Sequence, residues 1–302
     1  MSNTIECLNS DIGDRYAFYN GDCIEVTAQM PSASIDLSVY SPPFSDLFIY
    51  SDSERDMGNW ADDEQFADHY GHLLREMFRI IRPGRMAAVH VSDLPARKSR
   101  EGFIGLRDFS GDVIRAHQRA GFHYHSRITI WKDPVMEMVR TKAHGLLYKN
   151  IQIDSTRNRV GMPDYILVFR RPATTKAEEE LCRPVPHTPE DFPLPLWQKV
   201  ASPVWMDIDQ GDTLNHRVAK ENTDEKHMCP LQLGVIERLL KLYSNPGEVV
   251  LSPFGGIASE GVGSLKAGRR FVGIELKPAY WRVGVRNLRD EADTSQTSLF
   301  SS

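Results

Sequence analysis

Cysteine is scarce in this sequence of 302 residues, and the four present form no C-x-x-C pair: Cys7, Cys23, Cys182 and Cys229. This spacing gives no support to a zinc ribbon and disfavours a disulfide framework, so we expect a protein of a reducing cytoplasm. No His/Cys cluster has the spacing of metal ligands, so no metal site is predicted. No apolar run approaches the ~20 residues of a membrane span, and the charged N-terminal residues predict no signal peptide.

The sequence also has no excess of positive charge, because its net charge is −5. A negative total argues against nonspecific nucleic-acid binding through the whole surface, but it leaves room for a local basic patch. The apolar fraction of 41% and the charged fraction of 25% are typical of a globular protein. The length fits one large α/β domain or two smaller ones.

Strand and helix patterns alternate along most of the chain. Helical spacing of apolar residues appears in 64–81 and 108–121, and a helix opened by proline is indicated in 227–244. Strands are predicted at 35–40, 85–92, 123–131, 164–171, 248–251 and 270–276. This alternation predicts a mostly parallel sheet with helices on both faces.

Two stretches show no clean period. Residues 132–163 carry seven basic side chains: Lys132, Arg140, Lys142, His144, Lys149, Arg157 and Arg159. Residues 171–200 are rich in proline and charge, and we interpret them as a linker or irregular segment.

A glycine turn follows the strand at 248–251. Phe254, Gly255 and Gly256 form a tight bend in which missing side chains let a ligand lie against the backbone. Glu275 stands near the end of the next strand, about 20 residues later, where a carboxylate suits two neighbouring ribose hydroxyls. The pattern indicates an adenosine-containing ligand. The alternative is that these glycines only permit close packing of strand and helix.

A stiff turn, Ser41-Pro42-Pro43-Phe44, follows the strand at 35–40. The Ser41 oxygen and the Pro42 carbonyl can both accept hydrogen bonds, and an exocyclic amine of a nucleobase has two N–H groups to donate. The prolines restrict the backbone, which preorganises the two acceptors. Phe44 can stack on a base taken out of its duplex. The alternative is a rigid turn without a chemical role.

Together the two turns resemble the DNA amino-methyltransferases, which modify adenine N6 or cytosine N4 with S-adenosylmethionine. The family's [DNS]-P-P-[YFW] catalytic motif matches residues 41–44, its F-x-G donor motif matches residues 254–256, and its acidic ribose-binding position matches Glu275. The resemblance places Asp22 and Cys23 beside the cofactor's adenine, and it aligns Pro230 and Trp205 with segments that precede the donor strand. It covers most of residues 15–290.

The resemblance implies a Rossmann-like methyltransferase fold with a circularly permuted motif order. The catalytic motif precedes the donor motif, as in the β group of these enzymes, whose members are often homodimers. It further implies one catalytic α/β domain over residues 1–302 that acts on double-stranded DNA of a bacterium or phage. The segments 132–163 and 171–225 are then candidates for target recognition. Their candidate DNA-binding residues are Arg140, Lys142, Lys149, Arg157 and Arg159.

Two departures from the family pattern keep alternatives open. Ser252 stands where the donor motif usually has Asp, so contact with the positively charged methionine part is weakened or supplied by another acid. Ser41 stands where adenine enzymes usually have Asp or Asn, and serine is more usual in cytosine-N4 enzymes. The whole chain nevertheless favours adenine N6. The alternatives are cytosine N4, a DNA-binding protein without turnover, and methylation of RNA or of a protein amide.

Histidines are not assigned as general bases at this stage. His90, His123 and His125 lie near predicted strands, but the attacking amine can lose its proton after methyl transfer. We therefore interpret these histidines as structural residues.

Overall fold

The computed structural model describes residues 5–43, 63–96, 98, 102–141, 147–154, 156, 158–215 and 230–299. Their main element is a nine-stranded sheet. Its strands are β1 (Asn9–Ile12), β2 (Tyr16–Asn20), β3 (Ile35–Tyr40), β4 (Ile81–Val91), β7 (His123–Ile130), β8 (Asp164–Arg170), β9 (Val204–Trp205), β10 (Val249–Ser252) and β11 (Arg270–Glu275). A separate ribbon pairs β5 (Leu94–Ala96) with β6 (Gly105–Arg107).

The strand order of the large sheet is β1-β2-β11-β10-β3-β4-β8-β7-β9. The five strands from β2 to β4 in this order are parallel to one another. β8 is antiparallel to β4, and β7 is antiparallel to β8. This is the mostly parallel α/β sheet that the sequence predicts, with the catalytic strand β3 beside the donor strand β10.

Ten helices accompany the strands in the described residues. They are α1 (Cys23–Ala28), α2 (Asp63–Ile80), α3 (Phe109–Arg119), α4 (Pro134–Thr141), α5 (Tyr148–Asp154), α6 (Lys176–Leu181), α7 (Leu194–Val200), α8 (Leu233–Tyr243), α9 (Ser259–Lys266) and α10 (Pro278–Leu299). In this part of the chain, no helix combines the length and apolar character that a membrane crossing requires.

The helices cover both faces of the sheet because successive strand residues point to opposite sides. On one face, Ala87 and Val89 of β4 join a core with α1, α2 and α3. On the other, Ala88 packs in a core with Leu37, Val39 and α8. A third cluster joins Phe18 of β2 to α9 and α10.

The strand β3 is buried on both faces, although its alternating sequence predicts a half-buried strand. Its polar residues turn to neighbouring elements instead of water. Ser38 donates a hydrogen bond to the carbonyl of Leu251 at 3.0 Å, and Asp36 accepts one from the backbone N–H of Val249 at 2.9 Å. These bonds satisfy the buried polar groups and tie β3 to β10.

Several element predictions need correction. The helix predicted over 64–81 ends at Ile80, and β4 begins at Ile81, four residues before the strand predicted at 85–92. The segment 132–163 contains α4 and α5, and 171–200 contains α6 and α7, where no regular structure was predicted. The helix predicted in 227–244 begins at Leu233 in the described residues.

Candidate active site

The carboxyl ends of the parallel strands meet at one edge of the sheet. Asn20, Glu275 and Ser252 are the last residues of β2, β11 and β10 at this edge, and Ser41 directly follows β3. In open α/β sheets, ligands bind outside the carboxyl ends of the strands. The two turns singled out in the sequence therefore lie at the edge where a ligand is expected.

The catalytic and donor segments lie side by side. The rings of Tyr40 and Phe254 pack with centroids 5.8 Å apart. The Tyr40 hydroxyl is itself fixed, 2.9 Å from the Tyr70 hydroxyl and 3.1 Å from Nε2 of His117. Ring packing thus holds the end of β3 against the start of the glycine turn, and the two hydrogen bonds fix the Tyr40 side chain to α2 and α3.

The two glycines of the donor turn are required for different reasons. A Cβ on Gly255 would lie 2.7 Å from the ring of Phe18, so this position is a close packing contact. Gly256 has φ +52, a conformation that costs other L-residues about 1–2 kcal/mol, and a Cβ there would meet no atom within 4 Å. Gly255 is therefore needed for close packing, whereas Gly256 leaves open space in which a ligand can lie against the backbone.

Glu275 links the glycine turn to the end of β11. Its carboxylate accepts hydrogen bonds from the backbone N–H of Gly256 at 2.8 Å and of Lys277 at 2.7 Å. The Asn20 side chain donates to the carbonyls of Glu275 and Leu276 at 2.8 and 3.0 Å. A carboxylate has about four acceptor positions, so it can accept from backbone amides and from hydroxyl groups at the same time.

Asp22 and Cys23 begin α1 at the same edge. Asp22 is the N-cap residue, and its carboxylate accepts from the backbone N–H groups of Ile24 and Glu25 at 2.8 and 3.3 Å. Cys23 is buried, and burial raises the pKa of its thiol, which keeps the side chain neutral. Asp22 therefore has a structural role here, whatever else it contacts.

Orphaned polar atoms cluster where strands and helices meet this edge. Four buried side-chain oxygens make no hydrogen bond: Asn20 Oδ1, Gln232 Oε1, Ser252 Oγ and Ser259 Oγ. They belong to the ends of β2 and β10 and to the starts of α8 and α9. Buried polar atoms normally have partners, so four orphans near one edge are the expected signature of a polar ligand site.

An acidic residue that the sequence analysis did not name lies in the first turn of α9. Glu260 is 6% exposed, and burial raises the pKa of its carboxyl to about 8. No cationic side chain among the described residues forms an ion pair with it. Sequence reasoning missed Glu260 because its burial follows from the packing of α9 and not from any motif.

A chain of hydrogen bonds stands behind Ser41. Its Oγ lies 2.9 Å from Nδ1 of His90, and Nε2 of His90 lies 2.9 Å from Oδ2 of Asp164. Lys132 forms an ion pair with the same Asp164 oxygen. His90 is thus a buried histidine, in agreement with its interpretation as a structural residue, and it also contacts Ser41. Lys132, counted among the basic residues of 132–163, is buried as well.

The candidate DNA-binding residues have different surroundings. Lys149 is exposed on α5. Arg159 instead forms an ion pair with Glu137, with an Nη2–Oε1 distance of 3.0 Å and side chains only 10% and 1% exposed. This pair gives Arg159 a structural role, and we drop it from the proposed DNA contacts. Phe44, Lys142, Arg157 and the side chain of Arg140 lie outside the described residues.

The chain belongs to the DNA methylase family of N6 and N4 methyltransferases, whose model matches residues 35–286. Among curated relatives, it is 25% identical over 271 residues to the DNA adenine methyltransferase YhdJ of Escherichia coli, covering 89% of this chain and 81% of that protein. It is 22% identical over 290 residues to the Type II methyltransferase M.Cfr9I of Citrobacter freundii, covering 90% and 87%.

Solved structures of methyltransferases share the fold. The DNA modification methylase TTHA0409 of Thermus thermophilus, described as putative and complexed with S-adenosyl-L-methionine, superposes with a TM-score of 0.64 at 24% identity, covering 92% of this chain and 96% of that one. The PvuII DNA methyltransferase, described as cytosine-N4-specific, gives a TM-score of 0.63 at 14% identity, covering 94% of each chain. The fold expected from the sequence is thereby confirmed.

Proposed function

We propose that this protein transfers a methyl group from S-adenosylmethionine to the exocyclic amine of a base in double-stranded DNA, with adenine N6 as the preferred target. The observation that carries the proposal is the packing of Tyr40 against Phe254, because it brings the Ser41–Pro43 turn next to the glycine turn. A methyl donor and an amine acceptor must meet in such a place for direct transfer.

The residues at the sheet edge fit the cofactor. Glu275 and the open backbone at Gly256 suit the ribose, and the orphaned oxygens suit polar groups of the methionine part. The cofactor supplies a methyl group activated on a sulfonium cation. Glu260 is the buried acid available to neutralise a cation in this region, in place of the carboxylate that Ser252 lacks.

The residues of the catalytic turn orient the target amine. Ser41 Oγ and the Pro42 carbonyl accept its two N–H groups, which turns the nitrogen lone pair away from the ring and toward the methyl group. Pro42 and Pro43 lack a backbone N–H and have fixed φ, so the acceptors stay in place and no donor competes with the amine. Phe44 stacks on the base after it has left the duplex.

Adenine is preferred because the relative YhdJ, described as an adenine methyltransferase, aligns over 89% of this chain. The second candidate is cytosine N4, favoured by Ser41 and by the fold shared with PvuII methyltransferase. Both amines present two N–H groups to the same pair of acceptors. The choice therefore depends on the space around the base and not on the acceptors.

The basic segment 132–163 supplies the proposed DNA contacts, namely Arg140, Lys142, Lys149 and Arg157. Lys and Arg side chains bind phosphates and fix the register of the protein on the duplex. The division into one catalytic domain with target-recognition segments, and assembly as a homodimer, remain predictions of the family resemblance.

Mass spectrometry of nucleosides tests the proposal. Unmethylated duplex DNA of mixed sequence is incubated with the full chain and S-adenosylmethionine, then digested. We expect N6-methyladenine. N4-methylcytosine alone would reject the preference for adenine, and tight DNA binding without any methylated nucleoside would reject the enzymatic proposal.

A further inference from the structure

Ser41, His90 and Asp164 are brought together by the register of three strands. Tyr40 pairs with Val89 across β3 and β4, so the next residues, Ser41 and His90, are neighbours. β8 runs antiparallel to β4, and its first residue, Asp164, lies across from the end of that strand. The side chains of His90 and Asp164 are only 8% and 3% exposed, so bulk water does not replace these contacts.

The hydrogen positions in this chain follow from the partners. An ionised carboxylate only accepts hydrogen bonds, so His90 Nε2, which faces Asp164, carries a hydrogen. In a neutral imidazole the other nitrogen is then an acceptor. The Ser41 hydroxyl therefore donates its hydrogen to His90 Nδ1.

We propose that His90 and Asp164 are positioning residues that keep the Ser41 hydroxyl hydrogen in a hydrogen bond to His90. Ser41 Oγ then presents only lone pairs to the target amine. The inference rests on the proposed function and deepens it. A free serine hydroxyl can rotate and present its hydrogen to the amine nitrogen, where it would occupy the lone pair needed for attack. The His90–Asp164 pair removes that unproductive orientation before the base arrives.

Serine, histidine and aspartate also form the catalytic triad of acyl-transfer enzymes, but the surroundings of Ser41 do not fit a nucleophilic serine. The two residues after Ser41 are prolines, which have no backbone N–H to stabilise an oxyanion. The chain also uses the opposite nitrogens, with Nδ1 toward serine and Nε2 toward aspartate. Orientation of an acceptor is the role that this geometry supports.

A double-mutant cycle tests the inference, with single-turnover rates measured on duplex DNA and S-adenosylmethionine affinity measured separately. We expect Ser41→Ala and His90→Phe each to slow transfer about 100-fold, and the double variant to be no slower than Ser41→Ala, because His90 acts through Ser41. His90→Asn retains an oxygen that can accept from Ser41, so its rate should stay within about 10-fold of the wild type.

The control is His123→Asn, which changes an exposed histidine on β7 and should leave the rate unchanged. An additive cycle, or His90→Phe with the wild-type rate, would overturn the inference. Should His90→Phe fail to fold, the rate of His90→Asn decides alone, and a rate as slow as that of Ser41→Ala would overturn the inference. A wild-type protein that produces no methylated nucleoside would instead refute the proposed function itself.

Discussion

The ring of Tyr40, the last residue of β3, packs 5.8 Å from the ring of Phe254 in the glycine turn that follows β10. The two residues are far apart in sequence, and they meet because β3 and β10 are neighbouring parallel strands of the sheet. It joins the segment that can hold an amine to the segment that can hold an adenosyl group.

Ser41 should matter for transfer and not for cofactor binding. Replacing it with Ala removes one of the two acceptors for the amine, and loss of one such oriented group lowers kcat by about 100- to 1,000-fold. The dissociation constant for S-adenosylmethionine, measured by calorimetry, should stay unchanged. The matched control is Ser34→Ala, directly before β3, where the hydroxyl donates a hydrogen bond to the Pro31 carbonyl. Equal loss of cofactor affinity in Ser41→Ala would contradict this assignment.

Gly256 should matter for cofactor binding beyond its effect on the backbone. Gly256→Ala places a methyl group in the open space at φ +52, so we expect affinity for S-adenosylmethionine to fall at least about 10-fold, equal to about 1.4 kcal/mol. Gly268→Ala is the control, because it has φ +73 and open space at the other end of α9. Both variants should lose similar thermal stability. A similar loss of affinity in both would show that backbone strain alone is responsible.

Glu260 should make stability depend on pH. Its folded pKa, raised by burial to about 8 from 4.5, means that the folded state holds a proton that the unfolded state releases. The contribution to stability is complete below about pH 4.5 and is lost as pH rises to about 8, amounting to a few kcal/mol. Glu260→Gln should remove this dependence in urea unfolding measured from pH 5 to 9.

The cofactor should reverse that trend. A cation near Glu260 stabilises the ionised carboxylate, so affinity for S-adenosylmethionine should rise with pH through about 8 in the wild type and stay flat in Glu260→Gln. S-adenosylhomocysteine, which lacks the sulfonium charge but keeps the amino acid part, separates the two cationic groups of the ligand. A wild-type affinity independent of pH would remove Glu260 from the cofactor site.

Alanine substitutions at Lys149 and Arg159 should affect different properties, DNA affinity and stability respectively, although both are basic residues of the segment 132–163. Lys149→Ala removes an exposed charge, so DNA affinity should fall and the slope of log affinity against log salt should decrease by about 1. Arg159→Ala removes the cation that pairs with the buried Glu137 and should cost about 3–5 kcal/mol of stability. The reverse pattern, with Arg159 acting on DNA alone, would contradict the role of the ion pair.

The sequence alone was sufficient to predict which residues lie at the carboxyl ends of the parallel strands, because the motifs that identify them are local. The strand before each turn, the glycines at 255–256 and Glu275 can be recognised within a few residues, and parallel strands bring their carboxyl ends together. The same reasoning could not assign His90, because its contact with Ser41 depends on the register of β3 against β4 and on Asp164 at the start of β8. It could not foresee that Arg159 is buried with Glu137, since their pairing is a tertiary contact.

A structure with S-adenosylmethionine bound tests the central claim most directly. The account predicts the adenosyl group against Gly256 and Glu275, with the methyl group directed toward Ser41. The described residues also line a hollow of about 510 Å³ at the opposite edge of the sheet, bordered by Gly84, Arg85, Arg183 and His187. Cofactor bound there, or bound at the glycine turn with its methyl group directed away from Ser41, would contradict the account.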